Sequence, residues 1–187
     1  DWSSDVCSSD LRGAHTILAA RNPQKGQQAR EALLRTLPNA SIEVLDLDLA
    51  SLASIAETAS AFAARHSQLD ILVNNAGLMA MPESRTVDGF ETQFGVNHLG
   101  HWALTGRLMP ALKRAERARI VTVTSSAHHM SFRINFEDPH LRKRYSAWNA
   151  YSQSKLANYY FALGLHRKIQ AVRSPMSSLL AHPGFSR

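Results

Sequence analysis

Apolar residues fall along this chain in two rhythms: short continuous runs, and longer stretches in which they recur every three or four positions. The runs predict strands and the stretches predict amphipathic helices. In order, they give a strand over 16–20, a helix over 23–37 stopped by Pro38-Asn39, and a strand over 41–47. A helix over 52–66 and a short buried strand over 69–73 follow. Next come a long helix over about 88–115, a strand over 119–124, a helix over 147–169 and a last strand over 178–181. Strand and helix alternate throughout, the pattern of an α/β fold: a doubly wound parallel sheet with helices on both faces.

Composition narrows this reading only a little. With 187 residues, 44% hydrophobic and 19% charged, the chain suits one domain with a sizeable core. Its apolar runs are too short to span a bilayer and its start lacks the layout of a signal peptide, so a cytoplasmic protein is expected. Cys7, the single cysteine, cannot form an internal disulfide or a metal cluster, and no metal site is expected. The net charge of +6 comes from basic residues scattered through helical segments, a solvated basic face rather than a nucleic-acid site. Residues 1–11 repeat Ser-Ser-Asp, fit neither rhythm and are similar to translated sequencing-adaptor sequence. They are expected to be non-native, which leaves 12–187 as the domain.

In parallel α/β sheets, ligands bind beyond the carboxyl ends of the strands, and each predicted strand here ends in candidate chemistry. After the first come Arg21 and Asn22, where a Rossmann-like protein preferring NAD would carry an acid. Arg21, with Lys25 nearby, can pair with a 2′-phosphate, or can simply end the strand. After the second come Asp46, Asp48 and Leu49, whose carboxylates suit an adenine amino group or a helix cap. After the third, Asn74, Asn75, Ala76 and Gly77 let a flat ligand approach the backbone, or make an ordinary turn. Ser125-Ser126 and His182-Pro183-Gly184 follow the last two strands. Asn97 lies between Gly95 and Gly100 in the long helix, where the glycines suggest a local irregularity.

Tyr151 and Lys155 carry the most chemistry. Four residues apart on a helix, they share one face, and an ammonium beside a phenol favours the phenolate, equipping the tyrosine for proton exchange. Tyr145, Tyr159 and Tyr160 have no lysine at that spacing.

The ordered set Asn74-Asn-Ala-Gly77, Asn97, Ser125, Tyr151-x-x-x-Lys155 and Pro183-Gly184 resembles the short-chain dehydrogenase/reductase superfamily. His128-His129, Phe136, Tyr145 and the run 88–101 resemble its retinol-dehydrogenase-like branch. The resemblance implies an NAD(P)-dependent oxidoreductase, NADP preferred and NAD possible, moving hydride between a nicotinamide cofactor and a carbonyl or alcohol. In it, Tyr151 exchanges the substrate proton, Lys155 assists it and binds the nicotinamide ribose, Ser125 holds the substrate oxygen with Ser126 as competitor, and Asn97 holds a proton-relaying water. Asp48 and Leu49 meet adenine, 75–77 line the adenosine side, and Pro183 and Gly184 shape the nicotinamide pocket. Relatives pair as homo-oligomers through the helices carrying Asn97 and Tyr151.

Two departures accompany these matches. Family members begin with a strand and the turn Thr-Gly-x-x-x-Gly-x-Gly, whose amides hold the pyrophosphate, and neither is present here. The chain also stops where the family continues into its substrate-binding segments. An internal fragment with a gap in its sheet, and inactive by itself, is therefore expected. The alternative is a non-catalytic dinucleotide-binding or interaction module, which would need none of Asn97, Ser125, Tyr151 and Lys155.

Overall fold

The computed structural model describes residues 13–184. Residues 1–11, expected to be foreign, lie outside them, as does Cys7. The described residues form two compact units, 13–48 and Leu49–Gly184.

The first unit is a βαβ unit. Strands β1 (His15–Ala20) and β2 (Ser41–Asp46) run parallel, paired from His15 opposite Ser41 to Ala20 opposite Asp46. Helix α1 (Pro23–Thr36) connects them. It starts where the sequence predicts because Asn22 accepts a hydrogen bond from the Lys25 amide at 2.9 Å, and Pro23 occupies the first turn, where no amide partner is needed.

The second unit carries a parallel sheet in the order β3 (Ile71–Asn74), β4 (Arg119–Val123), β5 (Ser177–Ala181). Helix α2 (Leu52–Arg65) is capped by Ser51 and packs on α4 (His101–Leu112). Helix α5 (Ala147–Ala171), capped by Ser146, lies against β4 and β5. One sheet face meets these helices: Asn74 donates to Thr105 Oγ1 of α4 at 3.0 Å and Ser178 donates to the Ala162 carbonyl of α5 at 2.9 Å. Ile55, Leu112 and Ile120 are fully buried in this core. On the other face Val73, Val121 and Leu179 stand in one row across the three strands. An apolar run alone cannot distinguish burial on one face from burial on two, so the strand read as buried carries Ile71 and Val73 half-exposed.

The helix predicted over 88–115 is interrupted and shorter. Residues 85–91 form a tight hairpin, with Arg85 bridged to Glu91 and Gly89 at φ +83°. Asp88 caps α2 instead, accepting from the Leu52 amide at 2.8 Å. Glu91, itself buried, starts α3 (Thr92–Phe94) by accepting from the Gln93 and Phe94 amides at 3.0 and 2.6 Å. A π-helical turn over Gly95–Gly100 then leads into α4. Both bounding glycines are sterically required: a Cβ on Gly95 would lie 2.6 Å from Thr86 Cγ2, and one on Gly100 2.6 Å from the Leu49 carbonyl oxygen. The irregularity expected around Asn97 is this turn.

Candidate active site

Residues 150–158 of α5 are buried on every side, as befits a helix driven into a core rather than laid on a surface. Tyr151 and Lys155 lie on this stretch. The Lys155 Nζ stands 5.8 Å from the centroid of the Tyr151 ring, and Trp148 meets that ring edge-on from the preceding turn. The ammonium donates to the Val123 carbonyl at 3.3 Å, at the end of β4. Thr124 Oγ1 donates to the Lys155 carbonyl at 3.0 Å, fastening strand end to helix. Burial disfavours the charged amine and lowers Lys155 from its ordinary 10.5 to about 8.

The π turn brings Asn97 to the same place. Its Oδ1 accepts from the Leu78 amide at 2.7 Å, and its Nδ2 donates to the Leu78 carbonyl and to Ser154 Oγ, each at 2.9 Å. Ser154 in turn donates to the Tyr151 carbonyl at 2.7 Å. Asn97 thus pins the segment after β3 onto the helix that carries Tyr151. Gly77 sits where a Cβ would be 3.3 Å from Asn97 Oδ1 and 3.5 Å from Lys155 Nζ, so the backbone passes directly beside both groups. Behind Asn97, His101 Nδ1 lies 3.0 Å from its carbonyl oxygen and must donate to it. Burial above all, with the Asn97 hydrogen bond opposing it and Lys155 and His98 adding repulsion, pushes His101 down to about 4.

The other expected residues take separate places. Ser125 is half-buried and caps a 3₁₀ turn (Ser126–Met130), its Oγ accepting from the Ala127 amide at 3.3 Å, whereas Ser126 is exposed. Asn75 and Ala76 are half-buried after β3. Pro183 and Gly184 are exposed after β5, with Gly184 at φ +75°. Because the three strands are parallel, Asn75, Ala76, Gly77, Ser125, Pro183 and Gly184 all follow carboxyl ends of one sheet. Leu49 is buried against Gly100. In the first unit Arg21 is exposed, Asn22 has its side chain engaged in the α1 cap, and Asp48 is half-buried. The sequence reading did not single out His98, His101, Thr124, Ser154 or Asn158. His98, His101, Ser154 and Asn158 signal as polar residues in helical stretches within one turn of Asn97 or Lys155, and Thr124 as a polar residue closing a predicted strand.

The donor set fits a hydroxylated ligand. A lysine ammonium has three protons to donate. Among the described residues the Lys155 ammonium, 5% exposed, has one acceptor, Val123. Gly77 beside it keeps the approach clear of side chains. A nicotinamide ribose is such a ligand.

A parallel α/β fold with buried Asn, Tyr and Lys gathered at the carboxyl ends of its strands is of the Rossmann-like class. Residues 8–173 match the family model described as short chain dehydrogenase, and the chain belongs to that family. It is 43% identical over 176 residues to retinol dehydrogenase 12 of Homo sapiens, an alignment covering 94% of this chain and 55% of that protein. The crystal structure of an uncharacterised protein from Mycobacterium paratuberculosis is 45% identical and superposes with a TM-score of 0.86, covering all of this chain and 65% of that one. An NADP complex of RhlG from Pseudomonas aeruginosa is 25% identical with a TM-score of 0.73, over 98% of this chain and 68% of that one. The chain spans about half the length of the curated relatives it matches. No helix among the described residues is long and apolar enough to cross a membrane.

Proposed function

We propose that this chain carries the acid/base centre of an NADP-preferring oxidoreductase acting on a carbonyl/alcohol pair. The observation that carries the reading is the buried Lys155 ammonium beside the Tyr151 ring, with Gly77 passing beside both it and Asn97. When bound, the nicotinamide supplies or accepts the hydride. Tyr151 gives the proton to the nascent alkoxide in reduction, or removes it in oxidation, a contribution of about 10² to 10⁴ in rate. The Lys155 cation donates to the ribose hydroxyls. Ser125, with its Oγ proton free of the cap it accepts, donates to the substrate oxygen. Asn97 fixes the Leu78 backbone, and its Oδ1, which has a second lone pair, holds the relaying water. Asp48 and Leu49 serve adenine, Asn75, Ala76 and Gly77 the adenosine side, and Pro183 and Gly184 the nicotinamide pocket. Arg21, with Lys25, supplies the positive charge that selects a 2′-phosphate, and the NADP complex of the RhlG relative supports that preference. The retinol dehydrogenase relatives support a lipophilic substrate. A cytoplasmic location and homo-oligomeric assembly belong to the same reading.

Thr-Gly-x-x-x-Gly-x-Gly does not occur in these 187 residues, so the chain by itself is expected to hold NADPH weakly and to turn over at background. NADPH-dependent activity of the unaltered chain above a Tyr151→Phe control would overturn that part. To test the reading itself, a strand and this turn are supplied ahead of Gly13 in place of residues 1–12, and the substrate-binding segments of a relative are supplied after Arg187. Carbonyl reduction with NADPH is then expected, falling at least about 10²-fold in Tyr151→Phe. Equal rates in both proteins would sink the assignment of Tyr151.

A further inference from the structure

Lys155 shares its acceptor. The Val123 carbonyl takes the Lys155 ammonium at 3.3 Å and, from one turn further along α5, Asn158 Nδ2 at the same distance, one donor for each of its lone pairs. Asn158 is 1% exposed and lies three residues from Lys155, on the same face of the helix. Its amide cannot turn over. Nδ2 must face the carbonyl, which leaves Oδ1 toward His98 Nδ1 at 3.2 Å, so His98 must carry a proton on Nδ1. His98 comes from the π turn one residue after Asn97, and Phe94 and Phe161 hold its ring from two sides at centroid distances of 5.3 and 6.2 Å. Burial lowers the His98 pKa and so favours the neutral ring, opposed by the bond to Asn158.

We propose that His98 and Asn158 are positioning residues for Lys155: the chain His98 Nδ1–H to Asn158, and Asn158 to the Val123 carbonyl, fixes the oxygen on which the lysine ammonium rests. Without the Asn158 donor, Val123 would turn toward Lys155 alone or release it toward solvent. Either change favours the charged amine. The relay joins the π turn, the end of β4 and α5, so one hydrogen-bonded line reaches from the residue next to Asn97 to the cation beside Tyr151. The titratable groups facing Lys155 are Tyr151 on its own helix and His101 from α4, and His101 in turn feels His98. The role assigned to Lys155 rests on the oxidoreductase reading, whereas the relay rests on geometry alone.

The test uses the chain as it stands and needs no turnover. Trace acetylation with acetic anhydride across pH, read by mass spectrometry on the Lys155 peptide, gives the midpoint at which that amine loses its proton. His98→Leu and Asn158→Leu are expected to move the midpoint upward by about half a unit or more, a roughly threefold gain in proton affinity. His98→Asn, whose amide can donate from near the position of Nδ1, should return it. A folded His98→Leu protein with lowered stability but an unmoved Lys155 midpoint would reduce the pair to packing and overturn the proposal. A second measurement needs no variant: long-range ¹H–¹⁵N spectra near neutrality should show His98 protonated on Nδ1, and a bare Nδ1 would overturn the relay equally. Failure of the carbonyl-reduction assay leaves both readouts intact, so the two readings fail separately.

Discussion

Val73 and Asn74 are adjacent on β3, yet the valine is 54% exposed and the asparagine 1%. The two faces of the three-stranded sheet repeat that inversion. Toward α4 and α5 it presents Asn74, Thr122 and Ser178 among Leu72 and Ile120, and toward the opposite side the row Val73, Val121, Leu179. Stability alone would put the valines inside. Asn74 and Ser178 on the inner face fasten the sheet to α4, which continues the turn carrying Asn97, and to α5, which carries Tyr151 and Lys155, through Thr105 and the Ala162 carbonyl. Some partners are missing: Asn74 Oδ1 and Thr122 Oγ1 are buried with no hydrogen bond. One face therefore holds buried polar groups at some cost to stability, and the other has apolar surface left over.

This contrast can be broken from either side. The largest effect is expected at Asn97, where Asn97→Ala strips partners from the Leu78 amide and carbonyl together. A loss on the order of 3 kcal/mol in denaturant unfolding follows from the cost of unsatisfied buried groups. A loss below about 1 kcal/mol would show that the segment after β3 is held by other means. Next comes pH. Lys155 titrates at about 8 folded against 10.5 ordinarily, so the unfolded chain binds more protons between those values and stability should rise as pH rises through that window. His101, at about 4 against 6.5, acts likewise, so stability should fall as pH drops from 6.5 to 4. Lys155→Met should flatten the alkaline rise, by about 3 kcal/mol, and soften the acid limb slightly, because the lysine charge is one of the smaller causes that hold His101 down. A persisting alkaline slope in that variant would assign it to other groups.

Smaller changes sharpen the comparison. Thr122→Val removes a buried hydroxyl without a partner at nearly constant volume, and should be neutral or stabilising by up to about 1 kcal/mol in thermal unfolding. A clear destabilisation would mean the hydroxyl has a role the fold conceals. Val73→Thr with Leu179→Thr, on the exposed row, should alter stability by less than about 0.5 kcal/mol while lowering light scattering at high concentration. If instead these two cost as much as Asn97→Ala, that face is covered in solution.

Much of this was legible from residue order. Strands β1, β2, β4 and β5 and helices α1, α2 and α5 fall within a few residues of the hydrophobic rhythm, because Asn22, Ser51 and Ser146 cap and Pro38 stops the helices where the sequence indicates. The start of the long helix was not, because Asp88 caps α2 through space rather than beginning the helix it precedes. Within the site, the i to i+4 spacing of Tyr151 and Lys155 and the glycines around Asn97 announced themselves. Asn158 and His98 did not, since nothing in a sequence says that two polar residues sixty positions apart meet over one carbonyl oxygen.

A π turn holds one residue more than an α turn, so residues 95–100 act as a built-in insertion that shifts the phase of everything after them. Excising one residue there would restore regular helix and rotate His101–Leu112 against the preceding turns by about 100°. Asn97, His98 and His101 would then point in directions they do not share now. The site tolerates rewriting letter by letter far better than it tolerates a change in spacing, and alignments of related chains should be gap-free across this turn.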